Sequence, residues 1–356
     1  MKSVIGQAII AYIITCRNPS GGAMAMKCNA VFEGGGVKAI AIVGAVKAAE
    51  EKGIRFESVA GTSSGSIIAS FLAAGYDADE IRQMIIDTPF TMFTKKTVIH
   101  KTTFGPIARM IIKKGLYSGN ELEDWVRRIL LQKGIRTFSD LRPNQLRIIA
   151  SNITDGKLMV LPNDIAQLGV DPGKLEVARA IRMSCSIPYY FDPVVIRKPA
   201  ALSTGEGKKK RKFASQVTYI VDGGILSNFP LWLFDEEQQQ SKMIPTIGFQ
   251  IVGRKDAKTK EIHGPISMFQ ALFSTMMDAH DERYIETHNR FRTVKVPSLG
   301  VRATQFDLSK EESLELFEAG YLAGRKFFQH WSYSGYLDAY SKYVLGNGEK
   351  VQILKA

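Results

Sequence analysis

The chain has 356 residues, of which 45% are hydrophobic, and carries a net charge of +12. That length and apolar content let the chain bury a large core, as one big domain or a domain with an appendage, which excludes a disordered or fibrous polypeptide. The three cysteines (Cys16, Cys28, Cys185) are too few and too scattered for a disulfide framework or a zinc site, and the five histidines share no metal-ligand spacing.

Residues 4–14 form an apolar run too short to span a bilayer. The run looks like the core of a signal peptide, but Thr15-Cys16-Arg17 is a poor cleavage or lipoprotein site. Residues 1–25 are therefore expected to be a weakly structured or signal-like extension, with the domain proper starting near Met26. Residues 28–32 read as a buried parallel strand, Glu33 to Gly36 as a loop, and residues 37–52 as a helix stopped by Gly53. Residues 56–60 read as a second strand, and residues 64–74 as a second helix ended by Gly75.

Further along, residues 102–115 mix Phe104, Ile107, Met110, Ile111 and Ile112 with Arg109, Lys113, Lys114 and the preceding Lys101. Such a basic amphipathic stretch either lies on a lipid surface or packs as a helix on the protein's own core, and the second is the expectation. A helix over 121–131 is expected to start from a capping box of Ser118 and Glu121. Residues 146–151 and 158–161 pair as a hairpin about Asp155-Gly156. Residues 175–183 read as helix, after which Ile187-Pro188 forces an extended path to Pro193. The basic run Lys208-Lys209-Lys210-Arg211-Lys212 sits in an insert over 200–215 and reads first as a solvated loop. Residues 217–221 form a buried strand leading into Asp222-Gly223-Gly224, and residues 245–252 form another. The remainder is mainly helical, with a late strand at 294–297.

Two of these junctions carry chemistry. Gly61-Thr62-Ser63-Ser64-Gly65 is a G-x-S-x-G turn, which can hold a serine hydroxyl exposed between a strand and a helix. Gly34-Gly35-Gly36 ends the preceding strand and can aim backbone N–H groups at a developing oxyanion. A right-handed crossover puts both strand ends at one edge of the sheet, where open α/β sheets bind ligands. Asp222, at another strand end, is a candidate base. Free aspartate titrates near pH ~4, so it needs burial to become basic enough.

These blocks, in this order, resemble the patatin-like phospholipases over residues 26–252. The oxyanion block is Gly34-Gly35-Gly36-Val37-Lys38-Ala39, departing from the family pattern at Ala39, where glycine is usual. The elbow is Gly61 to Gly65. The third block runs Ala180-Ile181-Arg182-Met183-Ser184-Cys185-Ser186-Ile187-Pro188-Tyr189-Tyr190-Phe191-Asp192-Pro193, and the fourth is Asp222-Gly223-Gly224. The resemblance implies a three-layer α/β/α fold with a mostly parallel central sheet. It implies Ser63 as nucleophile, Asp222 as base and no histidine. Gly34, Gly35, Gly36 and Val37 would build the oxyanion hole beside Lys38, and Arg182, Gly223 and Gly224 would support proton and charge movement. Residues 253–356 lie beyond the resemblance and are expected to form a mainly helical part packed on the same domain.

The leading expectation is a lipid acyl hydrolase acting on phospholipids, lysophospholipids or glycerides without metal or cofactor. The basic balance suggests peripheral contact with an anionic membrane on the cytoplasmic side, secretion being less favoured; no nucleic-acid motif is present. Three other readings stay open. One is a Ser–His–Asp esterase using His263, His280, His288 or His330. The second is a nucleotide-binding or regulatory module using the glycine loop on phosphate, although the loop lacks the G-x-G-x-x-G and G-K-[ST] spacings. The third is a catalytically silent lipid-binding scaffold.

Overall fold

The computed structural model describes residues 26–94, 105–197, 217–238, 244–253 and 289–344, with isolated positions between 262 and 275. The expected N-terminal extension and the basic run at 208–212 lie outside these residues. In chain order the strands are β1 (Met26–Phe32), β2 (Ile54–Thr62), β3 (Gly115–Tyr117), β4 (Leu146–Asn152), β5 (Lys157–Leu161), β6 (Tyr189–Phe191), β7 (Val194–Arg197), β8 (Val217–Asp222), β9 (Thr246–Val252) and β10 (Thr293–Pro297). The helices are α1 (Ala39–Glu51), α2 (Ser64–Ala73), α3 (Ala78–Ile86), α4 (Gly105–Lys113), α5 (Asn120–Gln132), α6 (Val177–Ser184), α7 (Trp232–Gln238), α8 (Lys310–His330) and α9 (Tyr333–Tyr343).

The main sheet has eight strands, in the order β10-β9-β1-β2-β4-β8-β7, with β5 also paired to β4. β10, β9, β1, β2 and β4 run parallel. β5 and β8 run antiparallel to β4, and β7 antiparallel to β8. Side chains alternate between the two faces, as the strand period of two requires. Cys28, Ala30, Phe32, Val59, Ile148 and Ala150 enter one apolar cluster. Val31, Ala60 and Ile149 enter another, closed by Phe229, Leu231, Leu233 and Phe234. Strands buried on both faces read as continuous apolar runs, which is why residues 28–32 were legible. The result is the three-layer α/β/α arrangement, with β3 and β6 as a separate parallel pair.

The C-terminal part completes this body. β10 extends the sheet beside β9, and α8 lies along α1. The two helices approach closely because small residues face each other: a Cβ on Gly320 would fall 1.7 Å from the Ala41 carbonyl oxygen, and one on Gly44 1.9 Å from that of Phe317. Arg292, 1% exposed at the start of β10, makes a bidentate pair with Asp235 of α7 at 2.6 and 2.7 Å. Two attachments thus tie the late chain to the helix that follows the glycine loop and to the opposite layer.

Two expectations need correction. The cap of α5 is Gly119, in the left-handed conformation at φ 68°, not Ser118. Ser118 stands one residue upstream, where its hydroxyl donates to Glu121 at 2.8 Å and accepts the Asn120 N–H at 3.2 Å. The segment expected to pack its apolar residues on the core departs from that at Ile111 and Ile112 in α4, while the side chains of Phe104 and Ile107 lie outside the described residues. Arg109 is buried, while Ile111 and Ile112 are 73% and 70% exposed. The cause is a specific buried partner: Arg109 donates to both oxygens of Asp192 at 2.7 and 2.9 Å and to the Gly115 carbonyl.

Candidate active site

Ser63 is the residue between β2 and α2, and its backbone sits at φ 52°, ψ −129°. That conformation is rare for a residue with a Cβ and costs on the order of 1–3 kcal/mol. It persists because the turn is walled in by backbone. A Cβ on Gly61 would meet the Gly65 carbonyl at 2.4 Å, and one on Gly65 would meet the Phe32 carbonyl at 2.3 Å. Only glycines at both positions let β2, α2 and the end of β1 crowd together. The Ser63 N–H donates to Ser184 Oγ at 2.8 Å, and Ser184 donates in turn to the Ile149 carbonyl of β4 at 2.6 Å.

Asp222 reaches Ser63 by a route that strand direction decides. β2 ends with Thr62 opposite Ile149, and β8 ends with Asp222 opposite Ala150, the next residue of β4. Ile149 and Ala150 also pair with β5, so β2 and β8 must share the other edge of β4. Because β8 is antiparallel, the two strands meet end to end. The Ser63 hydroxyl donates to Asp222 Oδ2 at 2.7 Å, and the Gly224 N–H donates to Oδ1 at 2.8 Å. Asp222 is fully buried. Burial pushes its carboxyl up to about 7, against the opposing effect of those two hydrogen bonds. Gly223 presses on β4, where a Cβ would lie 2.3 Å from the Ile149 carbonyl. A hydroxyl hydrogen-bonded to a carboxylate of near-neutral pKa is suited to nucleophilic attack with proton transfer.

The glycine loop borders the same place. A Cβ on Gly34 would stand 3.0 Å from Ser63 Cβ. Three of its N–H groups already have acceptors: Gly34 donates to the Asn228 carbonyl at 3.3 Å, Gly35 to Ser64 Oγ at 2.9 Å and Val37 to the Ala303 carbonyl at 3.1 Å. Gly36, at φ 60°, makes no N–H hydrogen bond to the described residues. Of the expected donors Gly34, Gly35, Gly36 and Val37, Gly36 is thus the one whose N–H has no acceptor among the described residues. Lys38 is half-buried, its stem beside Gly35. Ala39 takes ordinary helical dihedrals and its methyl lines the cleft, so the departure from glycine is accommodated.

Arg182 is corrected. None of its hydrogen bonds reaches Ser63 or Asp222; it donates to the carbonyls of Ser118 and Asp192 and to Ser186 Oγ. Ser186 in turn accepts the Asp222 N–H through its carbonyl at 2.9 Å, so Arg182 braces the frame behind the base. Cys185 lines the cleft, its thiol kept neutral by burial and the nearby Asp222 carboxylate. His330 is exposed at the end of α8, and His263, His280 and His288 lie outside the described residues.

From Ser63 an apolar cleft of about 680 Å³, open mouth included, runs between Ile67, Ile85, Phe90, Phe93, Leu122 and Trp125, with Phe191 and Phe306 on one wall. Sequence reading did not foresee this wall, because Phe306 arrives from the late chain and stacks on Tyr190 at 5.4 Å. Ser184 was within a recognised block but had no assigned part. Its two hydrogen bonds make it a positioning residue for the strained turn. Ser184→Ala is expected to lower kcat roughly tenfold to a hundredfold with KM little changed, since a small displacement of a reacting group costs that much. Ser184→Thr, which keeps the hydroxyl, should recover much of the loss. A raised KM at constant kcat would instead place Ser184 in substrate binding.

Residues 30–235 match a family model described as patatin-like phospholipase. An uncharacterized protein of Bacillus subtilis, YqhO, is 40% identical over 314 residues, covering 86% of this chain and 100% of that protein. The cUMP-AMP-activated phospholipase of Escherichia coli is 24% identical over 210 residues, covering 56% of this chain and 55% of that one. Among solved structures, VipD from Legionella pneumophila shares 15% identity at a TM-score of 0.43, covering 88% of this chain and 69% of that one. With the family model matched across more than half of its length, the chain belongs to the patatin-like phospholipase family, a family of lipid hydrolases.

Proposed function

We propose that the protein hydrolyses fatty-acyl esters of phospholipids, lysophospholipids or glycerides, with Ser63 as nucleophile and Asp222 as the single base. The observation that carries this reading is the 2.7 Å hydrogen bond between Ser63 and the buried carboxyl of Asp222. In the acylation step Ser63 Oγ attacks the ester carbonyl carbon as its proton passes to Asp222. The oxyanion forms beside the Gly36 N–H. Collapse expels the alcohol, which takes the proton from Asp222 and leaves an acyl-serine. A water molecule then gives its proton to Asp222 and attacks the acyl carbon, and the departing Ser63 oxygen recovers the proton. The cleft beyond Ser63 offers an apolar wall for the chain of the acyl group and excludes water from it.

Among the described residues no helix is long and apolar enough to cross a membrane. The net charge of +12 fits peripheral attachment to an anionic, cytoplasmic-side bilayer. Incubating the protein with vesicles of mixed phospholipids, lysophospholipids and glycerides, and identifying products by mass spectrometry, tests the proposal. Free fatty acid released together with the matching deacylated lipid is expected. Intact lipids after prolonged incubation, alongside no turnover of soluble esters, would overturn it.

A further inference from the structure

We propose that the end of α4 is the tip by which the protein enters an anionic bilayer, Ile111 and Ile112 reaching the acyl-chain boundary and Lys113 and Lys114 meeting headgroup phosphates. The inference rests on the hydrolase reading for its purpose, which is delivery of lipid to the cleft. Its physical basis is separate. Single exposed apolar residues are ordinary on protein surfaces. Here the two most exposed large hydrophobics among the described residues are consecutive, at 73% and 70%, and are followed by two exposed lysines. Residues 105–115 contain no acidic side chain. Among the described residues, the carboxylate that the segment meets, that of Asp192, is neutralised by Arg109.

The tip is held in place rather than frayed. Arg109 locks α4 to Asp192, and β3 begins one residue after Lys114 and pairs with β6, Gly115 opposite Tyr189 and Tyr117 opposite Phe191. The Lys114 ammonium lies 5.0 Å above the Tyr219 ring. Tyr189, 46% exposed, prolongs the apolar surface, and two residues on Phe191 lines the cleft. The exposed tip and the inner wall are thus opposite ends of one short ladder. A bilayer suits this surface better than a protein partner. Protein interfaces favour Trp, Tyr and Arg and are depleted in Lys, whereas aliphatic residues beside lysines are the composition of an interfacial lipid contact.

The test uses the full chain carrying Ser63→Ala, so that vesicles are not consumed, and co-sedimentation with equimolar phosphatidylcholine and phosphatidylglycerol. Adding Ile111→Asp with Ile112→Asp is expected to weaken binding roughly tenfold or more, about 1.4 kcal/mol. Lys113→Gln with Lys114→Gln should weaken binding to anionic vesicles and leave the weaker binding to pure phosphatidylcholine unchanged. Ile112→Trp fluorescence should be quenched by lipids brominated along their acyl chains, with circular dichroism showing that each variant is folded. With Ser63 intact, the aspartate pair should turn over a soluble short-chain ester at the parental rate. Undiminished binding by the folded aspartate pair, or an unquenched tryptophan at 112, overturns the proposal. Loss of soluble-ester turnover in the parent itself, with tip-dependent binding preserved, would overturn the hydrolase reading and leave the docking surface standing.

Discussion

Ser63→Ala is expected to abolish ester hydrolysis, by roughly 10⁴-fold or more, while leaving the fold unchanged. The size of the loss follows from the arrangement: the group removed is the hydroxyl that is hydrogen-bonded to Asp222. Alanine keeps the Cβ that Ser63 already holds at positive φ, so the substitution adds no backbone strain. The neighbouring serines are committed elsewhere. Ser64 Oγ accepts the Gly35 N–H, and the Ser66 hydroxyl donates to the Ser63 carbonyl at 2.6 Å. A fluorophosphonate probe should therefore modify Ser63 alone, as read by peptide mass mapping. Modification of Ser64 or Ser66 in its place would refute the assignment.

Asp222→Asn is expected to cost about as much activity as losing the serine, because members of one reacting unit are not additive. The same substitution should raise stability, in a pH-dependent way. The folded carboxyl is pushed up to about 7 by burial, above the ordinary value near ~4. The folded state therefore holds a proton over an interval in which the unfolded chain has lost it. The stability this group contributes is fully present below the unfolded value and is lost as pH rises through about 7. Asparagine stays neutral throughout. Its thermal midpoint should exceed the parent's clearly at pH ~8 and only slightly at pH ~5, a difference on the order of a few kcal/mol. Activity in the parent should run the opposite way, rising with pH and levelling off above about 7, since only the ionised carboxylate accepts the serine proton. Equal stabilisation at both pH values, or a rate independent of pH across that range, would show that the carboxyl is not raised.

Much of the site was legible from local pattern. Residues 61–65 announce a sharp turn because glycine at both ends is the only way to bring three backbones together. The hairpin about Asp155-Gly156 and the buried runs of β1 and β4 follow from turn chemistry and strand period. In α4 the pattern was visible and its orientation was misread. Composition shows an amphipathic stretch, but which face turns inward was decided by Arg109 finding Asp192, a partner 83 residues away. The glycine loop was recognised, yet the acceptors of its N–H groups were not. Asn228 and Ala303 arrive from distant parts of the chain.

The sequence by itself determined the kinds of groups present and the local geometry that presents them: a serine on a glycine-flanked turn, a glycine loop ahead of a helix, an aspartate at a strand end. Those outcomes depend on sterics and hydrogen bonds within a few residues, which spacing reports directly. Only the tertiary structure decided that Ser63 and Asp222, 159 residues apart, would touch. The contact exists because β8 runs antiparallel along the edge of β4 that β2 has already half used. Strand direction is set by pairing across the sheet, and no local pattern in β8 carries it. The near-neutral pKa of Asp222 has the same origin, since burial is a property of what the rest of the chain places around it.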